Sequence, residues 1–230
     1  MDYEGLLELV KKRRSIRSFK PEPIPDEYID KIIEVARWAP SGSNSQPWEF
    51  IVVKKPEIKE AIFQLIKEQS VLSQKMELIK EPELRMVRLA DPAEQPGYMD
   101  APVFIILCGD TRIQDTYSLG VSSQKRQAIY DSSLANAFLH MHLAATTLGL
   151  ASQWVSVVSF HFVQLLVKDM LGIPRELEIY EMMALGYPAV VPRPRLVRAK
   201  EELVHYDYYD KTKFRTAEEI RNFIVTLRRG

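Results

Sequence analysis

Three guanidinium groups and a hydroxyl fall within five residues in Arg13-Arg14-Ser15-Ile16-Arg17. A guanidinium is planar, always charged and forked, so it grips phosphate oxygens in pairs, and a serine hydroxyl adds one more hydrogen bond. Arg13 and Arg17 are four residues apart, a spacing that lets them share a helical face or flank one turn. The plainer alternative is a solvated helix end, since Lys11-Lys12-Arg13-Arg14 is also a simple charge run. A second segment, Pro40-Ser41-Gly42-Ser43-Asn44-Ser45-Gln46-Pro47-Trp48, presents the donors and acceptors of Ser41, Ser43, Asn44 and Gln46 just before the apolar run Phe50-Ile51-Val52-Val53. Its alternative is an ordinary polar connection, with Trp48 anchoring the loop in the core rather than stacking on a ligand. Together the two segments suit two walls of a site for a phosphate-bearing, ring-shaped cofactor.

Other chemistries find little support. The chain has no G-x-G-x-x-G and no G-x-x-x-x-G-K, and only nine glycines in 230 residues. It has no H-E-x-x-H, C-x-x-C or G-x-S-x-G, so neither a zinc site nor a serine elbow is expected. His140 and His142, two apart on an expected helix, point to nearly opposite faces and do not share a metal. Ser122-Ser123-Gln124-Lys125 satisfies S-x-x-K, a pattern short enough to arise by chance. The one cysteine, Cys108, lies in an apolar run and reads as a buried strand residue. Lys+Arg and Asp+Glu both number 31, and this zero balance argues against a nucleic-acid surface. No signal peptide and no run of 18 apolar residues is present, so no membrane partner is expected and the cytoplasm is the expected location.

The elements that must carry these residues read as alternating helices and strands. Residues 3–14 form a short helix with Leu6, Leu9 and Val10 on one face. Pro21 to Pro25 is extended, and Asp26 and Glu27 open a helix that Pro40 terminates. Strands are expected at 50–53, 103–108, 153–158 and 179–185, the last stopped by Gly186-Tyr187-Pro188. A charged helical region covers about 57–89, broken near Pro82, and Asp91 to Gly97 is a loop. An alanine-rich helix over 130–149 ends at Gly149; its small residues suit either core packing or the close approach of another helix. The tail carries a capping box, Thr216 with Glu219, before an apolar stripe. A single domain over 1–230 is expected.

R-R-S-I-R-S-F at 13–19, followed by A-P-S-G-S-N-S-Q-P-W-E-F-I-V-V, resembles the nitroreductase family of FMN-dependent oxidoreductases. The resemblance continues through Asp131-Ser132-Ser133-Leu134-Ala135-Asn136, Ala184-Leu185-Gly186-Tyr187-Pro188 and the basic stretch Arg195 to Arg198. It implies an α+β fold: a three-layer α/β/α sandwich on a mixed sheet, with a C-terminal extension that intertwines two chains into a homodimer. It implies FMN at the dimer interface and NAD(P)H as co-substrate. By the resemblance, Arg13 and Arg198 hold the phosphate with Arg14 and Ser15 beside it, Arg195 adds a further contact, and Arg17 faces the N1/O2 edge of the ring. A cation there would favour the negative charge of reduced flavin. Ser41, Asn44 and Gln46 approach the flavin of the partner subunit, and Val155 and Ser156 present the group that meets flavin N5.

The implied reaction is ping-pong hydride transfer from NAD(P)H through FMN to a nitroaromatic, quinone or related acceptor, with no catalytic side chain and no metal. A reductive dehalogenase resembling iodotyrosine deiodinase is the alternative within the fold; Lys67, Glu68, Lys75 and Glu77 occupy its lid position without forming its Glu, Tyr and Lys set. A flavin-binding protein without turnover is the alternative outside enzymes. Some members carry a lysine over the ring, and Gln95-Pro96-Gly97-Tyr98-Met99-Asp100 has none, which shifts ring tuning toward Arg17. Residues from about 64 to 100 and the tail from Tyr206 match no family motif.

Overall fold

The computed structural model describes residues 2–85, 97–192 and 195–229. The expected loop at Asp91 to Gly97 lies outside the described residues except for Gly97. The chain forms two compact units, one of residues 1–70 with 95–192 and the other of 71–94 with 193–230.

The first unit is built on a five-stranded sheet. Its strands are β1 (Phe19–Lys20), β2 (Trp48–Val53), β3 (Val103–Asp110), β4 (Ala151–Val155) and β5 (Leu177–Pro188). Strand β5 is central: β3 pairs with it on one side and β4 on the other, β1 pairs with its end at Tyr187 and Pro188, and β2 pairs with β3. All four pairs are antiparallel, and the parallel component is the isolated bridge of Ser15 to Ser152. Strand β3 is apolar from Val103 to Cys108 because helices cover both its faces. Alternate side chains point opposite ways, so Val103, Ile105 and Leu107 join one core and Phe104, Ile106 and Cys108 the other.

Helices α2 (Asp26–Arg37) and α4 (Ser123–Thr147) supply the first core through Ile29, Ile32, Leu134, Phe138 and Met141. The early part of α3 (Pro56–Glu77) and α5 (His161–Leu171) supply the second through Ile62, Phe63, Val163 and Val167. This is the expected three-layer α+β sandwich. Cys108 is fully buried, and burial pushes its thiol pKa up to about 12, so no thiolate forms at neutral pH.

Several boundaries differ from the sequence reading, three of them for a clear local reason. Helix α4 begins at Ser123, seven residues early, because the Ser122 hydroxyl accepts from the Lys125 N–H at 3.3 Å; the S-x-x-K pattern is thus a helix cap. It ends as expected at Gly149, whose φ of 73° closes a Schellman turn: Leu150 N–H donates to Ala145 C=O and Gly149 N–H to Thr146 C=O. Strand β4 stops at Val155, where Ser156–Ser159 forms a 3-10 turn. Strand β5 continues through Gly186 to Pro188, since a Cβ at Gly186 would meet Pro102 at 2.8 Å and Phe19 at 3.0 Å. That glycine is needed for close approach and does not break the strand.

The second unit contains the end of α3, a 3-10 turn at Pro82–Leu84 and α6 (Ala217–Arg229). The capping box forms as read: Glu219 N–H donates to Thr216 Oγ1 at 3.2 Å and Thr216 N–H to Glu219 Oε2 at 2.7 Å. Arg221 of α6 pairs with Glu81 and Glu83. Among the described residues no helix is long and apolar enough to cross a membrane.

Candidate flavin site

Helix α1 (Tyr3–Lys12) ends where Arg13 turns extended, with its N–H donating to Leu9 C=O at 3.0 Å. The arginine run is therefore not helical, and the shared helical face allowed by the four-residue spacing does not exist. The segment runs beside β4: Ser15 bridges Ser152, and Ile16 N–H donates to Ser152 C=O at 3.2 Å. In an extended chain alternate residues share a side, so Arg13, Ser15 and Arg17 fall together and Arg14 opposes them. Accordingly Lys12, Arg14 and Ile16 line a separate cavity of about 250 Å³ with Gly149 and Pro188. Arg14 thus parts company with the other two arginines.

The Ser152 hydroxyl also lies 2.7 Å from His142 Nδ1 on α4. His142 is 2 % exposed, stacks on Trp154 and meets the Phe138 edge. Burial, with a smaller contribution from the Arg13 cation, lowers its pKa to about 3. A charged imidazolium beside the arginines would repel them, and this histidine stays neutral. The unfolded chain takes up that proton near pH 6.5, so folding stability is lost as pH falls through this range. At pH 5 the loss from this one group is about 2 kcal/mol. Urea melts of wild type and His142→Gln at pH 7 and pH 5 check this: the wild type is expected to lose more, and equal losses would contradict it.

Arg17 is set from the other side by Gly97. A Cβ there would lie 2.1 Å from the Arg17 carbonyl oxygen, so only glycine fits.

The polar loop is held at a different point. Ser43, Asn44 and Gln46 all have positive φ, at 54°, 53° and 45°. Non-glycine residues rarely adopt this conformation, and such strain persists only where surroundings over-determine it. Here α4 does so: Ser133 Oγ accepts from Gly42 N–H at 3.0 Å, and Asn136 Nδ2 donates to Pro40 C=O at 3.0 Å. Ser41 Oγ accepts from Gln46 N–H at 3.0 Å. Gly42 leaves no room for a Cβ, which would sit 2.2 Å from Ile129. Trp48 is buried and anchors the loop's end, as read. Ser43, Asn44 and Gln46 are exposed, and Asn44 and Gln46 line a cavity of about 220 Å³ with Arg37 and Trp38.

Ser133 and His142 are nine residues apart on α4, which places the loop and the arginine segment about 14 Å apart along the helix axis. Residues of the two segments line separate cavities, Lys12, Arg14 and Ile16 in one and Asn44 and Gln46 in another. From the sequence Ser133 and Asn136 read only as motif residues; their signal is a polar pair three apart in the alanine-rich stretch of the helix.

At the far end of β4, Val155 is buried and Ser156 exposed. In the second unit Arg195 is exposed, while Arg198 Nε pairs with Glu202 Oε2 at 3.2 Å. Among the described residues no three His, Cys, Asp or Glu side chains gather as they would around a metal ion.

Residues 10–187 match the nitroreductase family, and the chain belongs to it. It is an enzyme of that oxidoreductase class. The chain is 30 % identical over 185 residues to the NADH dehydrogenase of Thermus thermophilus, covering 77 % of this chain and 84 % of that one. It is 30 % identical over 196 residues to rat iodotyrosine deiodinase 1, covering 82 % of this chain and 64 % of the relative, whose length it thus only partly spans. The Bacteroides fragilis nitroreductase solved with bound FMN superposes with a TM-score of 0.65 at 24 % identity, over 87 % of this chain and 97 % of that one. At that identity the likeness supports the fold.

Proposed function

We propose that the protein is an FMN-dependent NAD(P)H oxidoreductase that acts as a homodimer, reducing a nitroaromatic, a quinone or a related small acceptor in alternating half-reactions. One observation carries this reading: Arg13, Ser15 and Arg17 share a side of an extended segment pinned to β4, whose far end is Val155–Ser156. From Ser152 to Ser156 is about 13 Å of extended chain. Phosphate donors thus stand at one end and a ring-edge contact at the other, which fits an elongated phosphorylated ring. FMN, when bound, accepts a hydride from NAD(P)H and passes it to the second substrate. Arg13 and Ser15 grip the phosphate, and Arg17 places a fixed cation at the N1/O2 edge. Ser156 supplies the contact at N5.

The loop of Ser41, Asn44 and Gln46 serves the flavin of the partner subunit. An unburied apolar stripe on α1 supports this, where Tyr3, Leu6 and Val10 are exposed and no residue is buried. Mixing Arg17→Ala chains with Asn44→Ala chains tests the arrangement. Sites that draw on both subunits predict that mixed dimers recover one intact site in two, whereas sites confined to one chain predict no recovery.

NADH and NADPH bleaching of the bound flavin separates an oxidoreductase from a flavin store. Reoxidation by nitroaromatics, quinones and halotyrosines then names the acceptor. The deiodinase reading keeps its place because of the rat relative, and it requires preferential reoxidation by halotyrosines.

A further inference from the structure

Strand β5 carries a carboxyl that the reading above does not use. Leu177 and Ile179 point into the core beneath α5, and so do Met182 and Ala184. Strict alternation would put residue 181 with the first pair, yet the parity changes between them. The cause is a β-bulge: Leu107 pairs with Glu181 and the adjacent Cys108 with Ile179, leaving Tyr180 as the extra residue. A bulge re-aims side chains, and this one turns Glu181 to the α4 face of the sheet, where Met183 and Leu185 follow it.

On that face β4 is the neighbour. Trp154 pairs with Met183 and Val155 with Met182, so the next position opposite Ser156 is Glu181. The Trp154 indole and the Ser156 hydroxyl are the polar groups that favour the ionised Glu181 carboxyl. Its Oε2 is buried with no hydrogen-bond partner among the described residues. An ionised carboxylate with an oxygen in that state is costly, and a proton removes the cost. Burial accordingly raises the Glu181 pKa, against the opposing pull of Trp154 and then Ser156. The other titratable groups around it are Tyr180 and Glu178 on its own strand and Tyr130 and Asp131 on α4; together they line a cavity of about 280 Å³. His142 stacks on the outer face of Trp154 and stays neutral.

We propose that Glu181 is a redox-linked proton site, a positioning residue that acts on the bound flavin through Ser156. The inference rests on the FMN reading of Val155–Ser156 given above. Reduction transfers a hydride from NAD(P)H to the flavin, leaving NAD(P)⁺ and a net negative charge on the ring system. A second negative charge one residue behind the N5 contact opposes that state. The repulsion between two charges in a partly buried site exceeds what the direction of one neutral hydrogen bond can return. Glu181 therefore binds a proton more tightly when the flavin is reduced. In the window between its two affinities the carboxylate takes one proton from water as the flavin is reduced, and returns it when the acceptor removes the hydride.

The test is the midpoint potential of the protein-bound FMN, measured from pH 5 to pH 9 in wild type and Glu181→Gln. Wild type is expected to show a segment of steeper pH dependence, bounded by two breaks, that Glu181→Gln lacks. Identical profiles in two yellow proteins would overturn the role of Glu181 while leaving the flavin site standing. A wild type that binds no FMN would overturn the underlying reading itself. Trp154→Phe gives an independent check that does not require Glu181→Gln to fold. It removes a polar neighbour that favours the carboxylate, so both breaks should move to higher pH; unmoved breaks would contradict the proposal.

Discussion

Arg13→Ala and Arg17→Ala are expected to leave the fold intact and to damage flavin binding in two distinguishable ways. Both side chains stand on an extended segment outside the two cores, and neither belongs to a core cluster. Surface substitutions of this kind change stability by about 0.5 kcal/mol or less. The losses should appear in the ligand. A hydrogen bond to a charged group contributes about 1.5–3 kcal/mol, so loss of Arg13 from the phosphate should weaken FMN binding on the order of a hundredfold. The phosphate is the same in both oxidation states, so oxidised and reduced FMN should weaken equally and the potential should hardly move.

Arg17 has the opposite signature. In the proposed site its cation faces the edge where reduced flavin gathers negative charge, so Arg17→Ala should weaken the reduced form more than the oxidised and lower the midpoint potential. With no lysine between Gly97 and Asp100, the proposed site gives Arg17 a larger share of this tuning. Fluorescence titration with FMN and a potentiometric titration read the two effects separately. Equal behaviour of the two variants would show that the segment contributes only general positive charge.

The second large effect is expected at Gly97. An alanine Cβ would press on the Arg17 carbonyl oxygen at 2.1 Å, its carbonyl carbon at 3.1 Å and the Ser18 Cα at 3.4 Å. All three are backbone, so no rotamer change relieves the clash. The next residue, Tyr98, is buried edge-on against Phe63 and Phe104, which keeps the 97–100 turn from backing away. Gly97→Ala should therefore cost about 1–3 kcal/mol of stability, in the range of overpacked cores, and should displace Arg17. Thermal melting should fall by several degrees and the purified protein should carry less FMN. Gly120→Ala is the control, since its Cβ meets only Ser118 Oγ at 3.8 Å. A Gly97→Ala protein that melts with wild type would refute the packing argument.

Much of this was legible from local chemistry. The capping box at Thr216 and the C-cap at Gly149, with φ of 73°, are short-range devices whose residues dictate their geometry. The buried strand at Val103 to Cys108 is likewise a continuous apolar run. What sequence could not give was contact at a distance. Nothing in Arg13 to Arg17 says that the segment leaves the helix to lie along β4, because the bridge to Ser152 crosses 137 residues of chain. Periodicity gives no hint of the bulge at Tyr180, which depends on a register with β3. Gly186 looked like a strand breaker because a glycine needed for close approach and one needed for a turn are the same letter. Ser133 and Asn136 revealed their task only once the strained loop at 43–46 lay against them.

Flavin content is the most direct measurement of the central claim. The protein, purified and equilibrated with excess FMN, then freed of unbound ligand, should be yellow with near one FMN per chain, and NADH or NADPH should bleach it under anaerobic conditions. A colourless protein that takes up no FMN would contradict the account, and no rearrangement of the site residues would rescue it.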